Sequence, residues 1–140
     1  MPSRHALLAP SSSKRWMTCA PSARLEAQFP EKDTAYTREG TLAHSLCETL
    51  LDIMLHNHSH VHDADTMRGY VRGTGIETDV VKEGLDFEDM YRYCYDYAAT
   101  VFEEYLTLKA TYPDARLLIE AELVLDAFIP EGFGSSAAVI

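Results

Sequence analysis

Apolar side chains recur every three or four residues through most of the first 112 positions and then shift towards alternation. The chain therefore reads as a series of helices followed by a small β element. Residues 1–9 form a loose arm. Pro10-Ser11-Ser12-Ser13 offers hydroxyl caps ahead of a short helix through residues 14–19. Pro21-Ser22 opens a second short helix through Ala23, Leu25 and Phe29, and Pro30 ends it. Asp33 or Thr34 caps a longer helix in which Ala43, Leu46, Cys47, Leu50 and Met54 share one face. Gly40 interrupts its early turns at a cost of about 1 kcal/mol relative to alanine, which calls for a packing or functional reason.

Residues 56–65 show neither helical period nor alternation and read as an exposed, His-rich loop; residues 66–76, with Gly69, Gly73 and Gly75, continue it irregularly. A helix begins near Glu77 and is closed or bent at Gly84. Asp86 caps the most regular segment, in which Phe87, Met90, Tyr91, Cys94, Tyr97, Ala98, Val101, Tyr105 and Leu108 repeat at helical spacing up to Tyr112-Pro113. That is about 25 residues, or nearly 40 Å of helix. Residues 117–125 alternate partially, as a strand does. Pro130-Glu131-Gly132-Phe133-Gly134 makes a turn, and residues 137–140 open a second apolar run. A strand edge at that point presents unpaired backbone groups, so the pattern predicts that something else completes the sheet.

The predicted fold class is α+β, mostly helical, with a long central helix and a small C-terminal β element. One domain spans 1–140: an arm at 1–9, a helical lobe at 10–112 carrying the His-rich loop, and a β element at 115–140. Composition fits a globular domain, with 46% hydrophobic and 24% charged residues. No apolar run approaches the roughly 20 residues needed to cross a bilayer, and Met1-Pro2-Ser3-Arg4-His5 leads into no signal-peptide core, so a cytoplasmic location is expected.

Charge changes the picture of partners. Residues 1–40 carry six basic and four acidic groups, whereas residues 41–140 carry six basic and eighteen acidic ones. So acidic a chain gains little from counterion release on DNA, and direct DNA binding should be weak. A basic partner suits it better, although acidity also serves solubility alone. Cys19, Cys47 and Cys94 form no C-x-x-C pair, and reduced thiols are expected; Cys47 and Cys94 fall within the apolar helical stripes as small buried hydrophobes.

Leu8-Ala9-Pro10-Ser11-Ser12, then Trp16 and Cys19, then Glu39-Gly40-Thr41-Leu42-Ala43-His44 follow one another in an order that resembles the RecB-like nucleases of the PD-(D/E)XK superfamily. The likeness is strongest to a phage and prophage family labelled a domain of unknown function, in which a P-x-G-F-G turn, matched here by Pro130 to Gly134, leads into the strand bearing the first catalytic aspartate. The resemblance implies the incomplete front half of a restriction-endonuclease-like fold. It also implies phosphodiester cleavage by Mg²⁺ or Mn²⁺ held by a histidine and carboxylates, with a lysine helping to activate water.

His44 matches the family's metal histidine, and Glu120 a recurrent glutamate on the preceding strand. A histidine satisfied by hydrogen bonds at the edge of the core is the alternative for His44. Ala137 stands where the family places its aspartate, and no (D/E)-x-K strand follows. His44 and Glu120 alone make a weak magnesium site, because that ion prefers an octahedron of oxygens. No cofactor is thus expected on the chain alone, and Mg²⁺ or Mn²⁺ only where a complete site is assembled.

Cys19 matches the first of four cysteines that hold an iron–sulfur cluster in some relatives, including the CRISPR adaptation exonucleases; no clustered trio accompanies it, and a cluster is not expected. His56, His58, His60 and His62 alternate and could take adventitious zinc, nickel or copper if the loop were extended. Tyr91, Tyr93, Tyr95 and Tyr97 would be spread around a helix, so core and surface roles suit them better than base stacking.

Three functional readings emerge. The chain is a phage-derived N-terminal portion of a RecB-like nuclease, inactive alone. Or it is a small acidic phage protein that blocks a basic nucleic-acid-binding defence enzyme of the host, by DNA mimicry of the anti-CRISPR or anti-restriction kind. Or it is a metal-dependent nuclease completed by homo-oligomerisation or by a second polypeptide that finishes the sheet.

Overall fold

The computed structural model describes residues 13–29, 32–56, 63–124 and 133–139, with residues 122–124 and 133–139 described by backbone alone. The order of elements is α1 (Ser13–Thr18), α2 (Pro21–Glu26), α3 (Ala35–His56), α4 (Ala64–Arg72), α5 (Ile76–Lys82), α6 (Phe87–Thr111), β1 (Leu117–Val124) and β2 (Phe133–Val139). The protein is α+β and mostly helical, with α6 as its longest helix and a small C-terminal β element. It divides into two compact units, Met1–Lys32 with Glu120–Ala138 and Asp33–Ile119 with Val139–Ile140.

In the first unit, Pro21 fills the first turn of α2, where its missing N–H would have no partner anyway. Arg15 reaches Glu26 at 3.0 Å between two exposed side chains. The second helix stops at Glu26, earlier than Pro30 would require, and the following N–H groups close turns onto Ala23, Leu25 and Glu26, leaving Phe29 exposed. β1 and β2 are hydrogen-bonded neighbours in a two-stranded sheet.

The second unit holds the core. Thr34 caps α3, its Oγ1 accepting from the Thr37 N–H at 3.2 Å while Thr37 Oγ1 accepts from the Thr34 N–H at 2.8 Å, a reciprocal arrangement that satisfies two otherwise orphaned donors. Leu46, Leu50 and Met54 are fully enclosed on the buried face of α3. α6 is capped by Asp86, whose side chain accepts from the Asp89 N–H at 3.1 Å, and it buries Phe87, Tyr91, Cys94, Ala98 and Tyr105 at four-three-four-seven spacing. Leu117 joins this core from the start of β1. Two members of the predicted α6 stripe fall outside it: Tyr97 is 50% exposed and Leu108 is 37% exposed. At 3.6 residues per turn Tyr97 lies roughly 85° from the centre of the buried arc, so it rides the rim.

Residues 66–76 are the main correction, because Ala64–Arg72 forms a helix where the glycines suggested irregular chain. The Asp63 side chain accepts from the Thr66 N–H at 2.9 Å and from the Thr66 hydroxyl at 2.8 Å. Met67 and Val71, one turn apart, are fully buried. One cap and two buried side chains each contribute about 1–3 kcal/mol, more than Gly69 loses. The expected loop 56–65 shrinks correspondingly: His56 ends α3, its Nδ1 2.9 Å from the Asp52 carbonyl oxygen, Asp63 caps α4, and residues 57–62 lie outside the described residues.

α5 begins one residue before the predicted Glu77 and ends in a Schellman arrangement: Leu85 N–H donates to Val80 O at 3.2 Å and Gly84 N–H to Val81 O at 3.0 Å. Gly84 holds φ +75° there, a conformation that charges a side-chain-bearing residue about 1–2 kcal/mol. The Tyr91 hydroxyl donates to the Ala64 carbonyl at 2.6 Å, tying α6 to the first turn of α4, and Arg68 forks onto both carboxylate oxygens of Glu88 beside the Phe87 and Tyr91 rings.

Replacing Leu50, which is fully buried, by alanine should destabilise the protein by about 3 kcal/mol in urea unfolding, whereas Leu106→Ala, at a position 49% exposed, should change stability by less than about 0.5 kcal/mol. Tyr91 supplies a pH test. Burial, reinforced by the neighbouring Tyr95, pushes its phenol up to about 12. The folded state therefore holds this proton more tightly than the unfolded chain. The resulting stability is complete below the ordinary tyrosine value of about 10 and is lost as pH rises towards 12. Tyr91→Phe should lower stability by about 1 kcal/mol at neutral pH and flatten that alkaline decline; equal alkaline slopes for both proteins would contradict the assignment.

Candidate functional site

Along the first half of α3, Tyr36, Glu39, Gly40 and Ala43 follow helical spacing and project to one side; Asp86, Asp89, Met90, Tyr93 and Cys94 do the same at the start of α6. With Leu85 from the α5–α6 connection, these two stripes line an open cleft of about 620 Å³. Ala43, Leu85, Met90 and Cys94 supply its apolar surface. Glu39, Asp86 and Asp89 supply carboxylates, and Tyr36 and Tyr93 stand 84% and 65% exposed at its edges.

The carboxylates differ in availability. Asp86 is committed to capping α6. Asp89 meets Arg92 at 3.0 Å, and the Arg92 guanidinium lies 4.8 Å above the Tyr93 ring. The hydrogen bond to the Tyr93 hydroxyl and the charge of Asp89 strengthen the hold of Arg92 on its proton. Just outside, Arg38 bridges Glu83 at 2.8 Å and Asp33 at 3.2 Å, and its pKa is raised first by the bond to Glu83. Acidic groups, tyrosine faces and an apolar floor together suit an organic cation with an apolar stem, as a lysine or arginine side chain has.

Gly40 has neither of the usual structural reasons. A Cβ built there meets nothing within 4 Å, and its backbone is ordinary helix. It lines the cleft.

His44 is exposed on α3 and is not among the residues lining the cleft, although its neighbour Ala43 is. It lies roughly 100° around the helix from the centre of the buried stripe, too far round for the edge of the core. Glu120 is half-buried on β1 and carries φ +50°, left-handed backbone in a residue with a full side chain. His44 belongs to one compact unit and Glu120 to the other. Among the described residues no three histidine, cysteine or acidic side chains gather as metal ligands.

Ala137 falls within β2. His56 is exposed, with Nδ1 also 3.1 Å from an Asp52 carboxylate oxygen, while His58, His60 and His62 lie outside the described residues. Cys19 is exposed beyond α1, Cys47 is half-buried and Cys94 is buried. Among the tyrosines of α6, Tyr91 is in the core and Tyr93 and Tyr97 are exposed.

The family is decided by the whole length of the match, which runs over residues 5–140. The chain belongs to DUF2800, a family described as proteins of unknown function. No solved structure matches it. Within this DUF2800 chain, the cleft residues Tyr36, Asp86, Asp89 and Tyr93 were not nominated from sequence. The signal available was Gly40, a helix-weakening residue needing a reason, but its partner wall becomes visible only once α3 and α6 are paired.

Gly40→Ala should raise stability by about 1 kcal/mol in urea unfolding, since helix propensity improves and the new methyl meets no atom. A loss of stability instead would mean that the glycine is required for packing.

Proposed function

We propose that this chain is a helical portion of a RecB-like, metal-dependent nuclease of the PD-(D/E)XK type, of phage origin, that does not cut DNA by itself. The observation that carries this reading is the ordered set of motifs: Pro10-Ser11-Ser12, Trp16 and Cys19, then Glu39-Gly40-Thr41-Leu42-Ala43-His44, then Pro130-Glu131-Gly132-Phe133-Gly134. Two features support it. The second motif lies on α3, where Glu39, Gly40 and Ala43 open onto the cleft. Glu120, the strand glutamate of the resemblance, sits at the strained backbone position of β1, and strain of this kind concentrates at functional sites.

In this reading His44 and Glu120 are the ligands that the resemblance assigns, and the acidic oxygens and the activating lysine that complete such a site belong to a further strand. Ala137 explains the inactivity, because a methyl group can neither coordinate a cation nor balance its charge. The purified chain with Mg²⁺ or Mn²⁺ should leave DNA intact, and adding a polypeptide that carries an acid-x-lysine strand should restore cutting that His44→Ala abolishes. Failure of every such mixture, or vigorous magnesium-stimulated cutting by the chain alone, would overturn it.

The cleft favours a second reading, capture of a basic nucleic-acid-binding enzyme of the host. Glu39 beside Tyr36, and Asp89 beside Tyr93 on exchanging Arg92 for the incoming group, would receive its arginine or lysine side chains. Such binding should weaken steeply between about 0.05 and 0.5 M salt and compete with DNA. Glu39→Gln combined with Asp89→Asn should weaken it about tenfold, and salt-independent affinity would dismiss it.

A further inference from the structure

Cys47 and Cys94 are 47 positions apart in the chain, yet they come together where α3 packs on α6, near enough for each thiol to alter the other's hold on its proton. The approach is close because the residues around it are small. Ala43 and Cys47 stand one turn apart on α3, Cys94 and Ala98 one turn apart on α6, and Ala98 is fully buried. The Cys94 Sγ also lies 3.5 Å from the Ala43 carbonyl oxygen. A thiol has one proton, so Cys94 can donate either to that carbonyl or to the Cys47 sulfur, and ionisation of Cys47 turns it to the latter. Cys47 is half-buried, and Cys94 is reached from the cleft that it lines.

We propose that Cys47 and Cys94 form a redox-active dithiol, oxidised by a low-molecular-weight disulfide such as glutathione disulfide to an intramolecular bond that staples α3 to α6.

The roles of the two sulfurs differ. The hydrogen bond from Cys94 holds the Cys47 thiol below its ordinary value, against the opposing effect of burial. The bond to Cys47 and then burial push Cys94 up. Cys47 is therefore the attacking thiolate and Cys94 the resolving thiol. The Cys47 thiolate attacks one sulfur of glutathione disulfide, forming a mixed disulfide and expelling glutathione thiolate. That thiolate takes the Cys94 proton. The Cys94 sulfur then attacks the Cys47 sulfur and expels the second glutathione, which is protonated from solvent. Two protein thiols lose two electrons and two protons, and one glutathione disulfide becomes two glutathiones.

The test uses the folded protein with Cys19→Ser, which removes the exposed third thiol. Equilibration with glutathione disulfide should lower the intact mass by two hydrogens, yield a digest peptide joining Cys47 to Cys94, and raise the urea midpoint over that of the reduced protein, because a cross-link across so long a loop restricts the unfolded chain. Dithiothreitol should reverse all three. Cys47→Ala, at the half-buried member, should abolish the linked peptide while the protein remains folded by circular dichroism. A product that stops at a glutathione adduct on Cys47, two thiols that stay free in the native protein, a link that forms only in urea, or a lowered urea midpoint would overturn the proposal.

Discussion

The packing of α3 against α6 is the constraint on which the described core depends. Leu46, Leu50 and Met54 on one helix and Tyr91, Cys94 and Ala98 on the other are almost completely removed from water. Each large side chain of this kind contributes roughly 1.5–3 kcal/mol when buried. α4 and α5 are too short to stand as isolated helices in water. Met67 and Val71 from α4, and Val80 from α5, enter the same cluster. These helices therefore exist because α3 and α6 offer them an apolar surface. The Tyr91 hydroxyl on the Ala64 carbonyl and the Arg68–Glu88 pair fix where α4 meets α6, and do less than burial to hold it.

How much of this was legible in the sequence depended on whether caps and period agreed. At α6 they did: Asp86 announced the start, the Tyr112-Pro113 step the end, and the observed helix is 25 residues long. At α3 the Asp33–Thr34 pair was right in kind, with Thr34 making the reciprocal cap. At α4 the glycines pointed to irregular chain, against the helix that Asp63 caps. The burial of Met67 and Val71 decides that conflict, and it is a tertiary effect that local propensity does not contain. β1 was legible as an apolar run, whereas β2 begins at Phe133, inside the stretch read as a turn, and its pairing with β1 is a long-range fact.

The candidate site was less legible than the fold for the same reason. A helix displays its residues around a full circle, and only the partner helix reveals which arc becomes floor, wall or solvent. Cys47 and Cys94 each looked like a small hydrophobe within its own stripe; the meeting of the two sulfurs belongs to the α3–α6 pairing and to neither helix alone. Tyr36 and Tyr93 likewise become the edges of one cleft only because Ala43, Met90 and Cys94 between them are small or flexible enough to leave it open.

Where the chain departs from local rules, position separates structural tolerance from function. Gly40 and Gly69 both weaken a helix, and neither glycine would bring a new Cβ within 4 Å of another atom. The likeness ends there, because Gly69 is not among the residues lining that cleft and α4 survives it through Asp63 and two buried side chains, whereas Gly40 opens onto the cleft beside Glu39. Glu120 is the sharper departure, a long acidic side chain on left-handed backbone within a strand, where β-region backbone is the cheaper choice. Such a conformation persists only where neighbouring structure over-determines it.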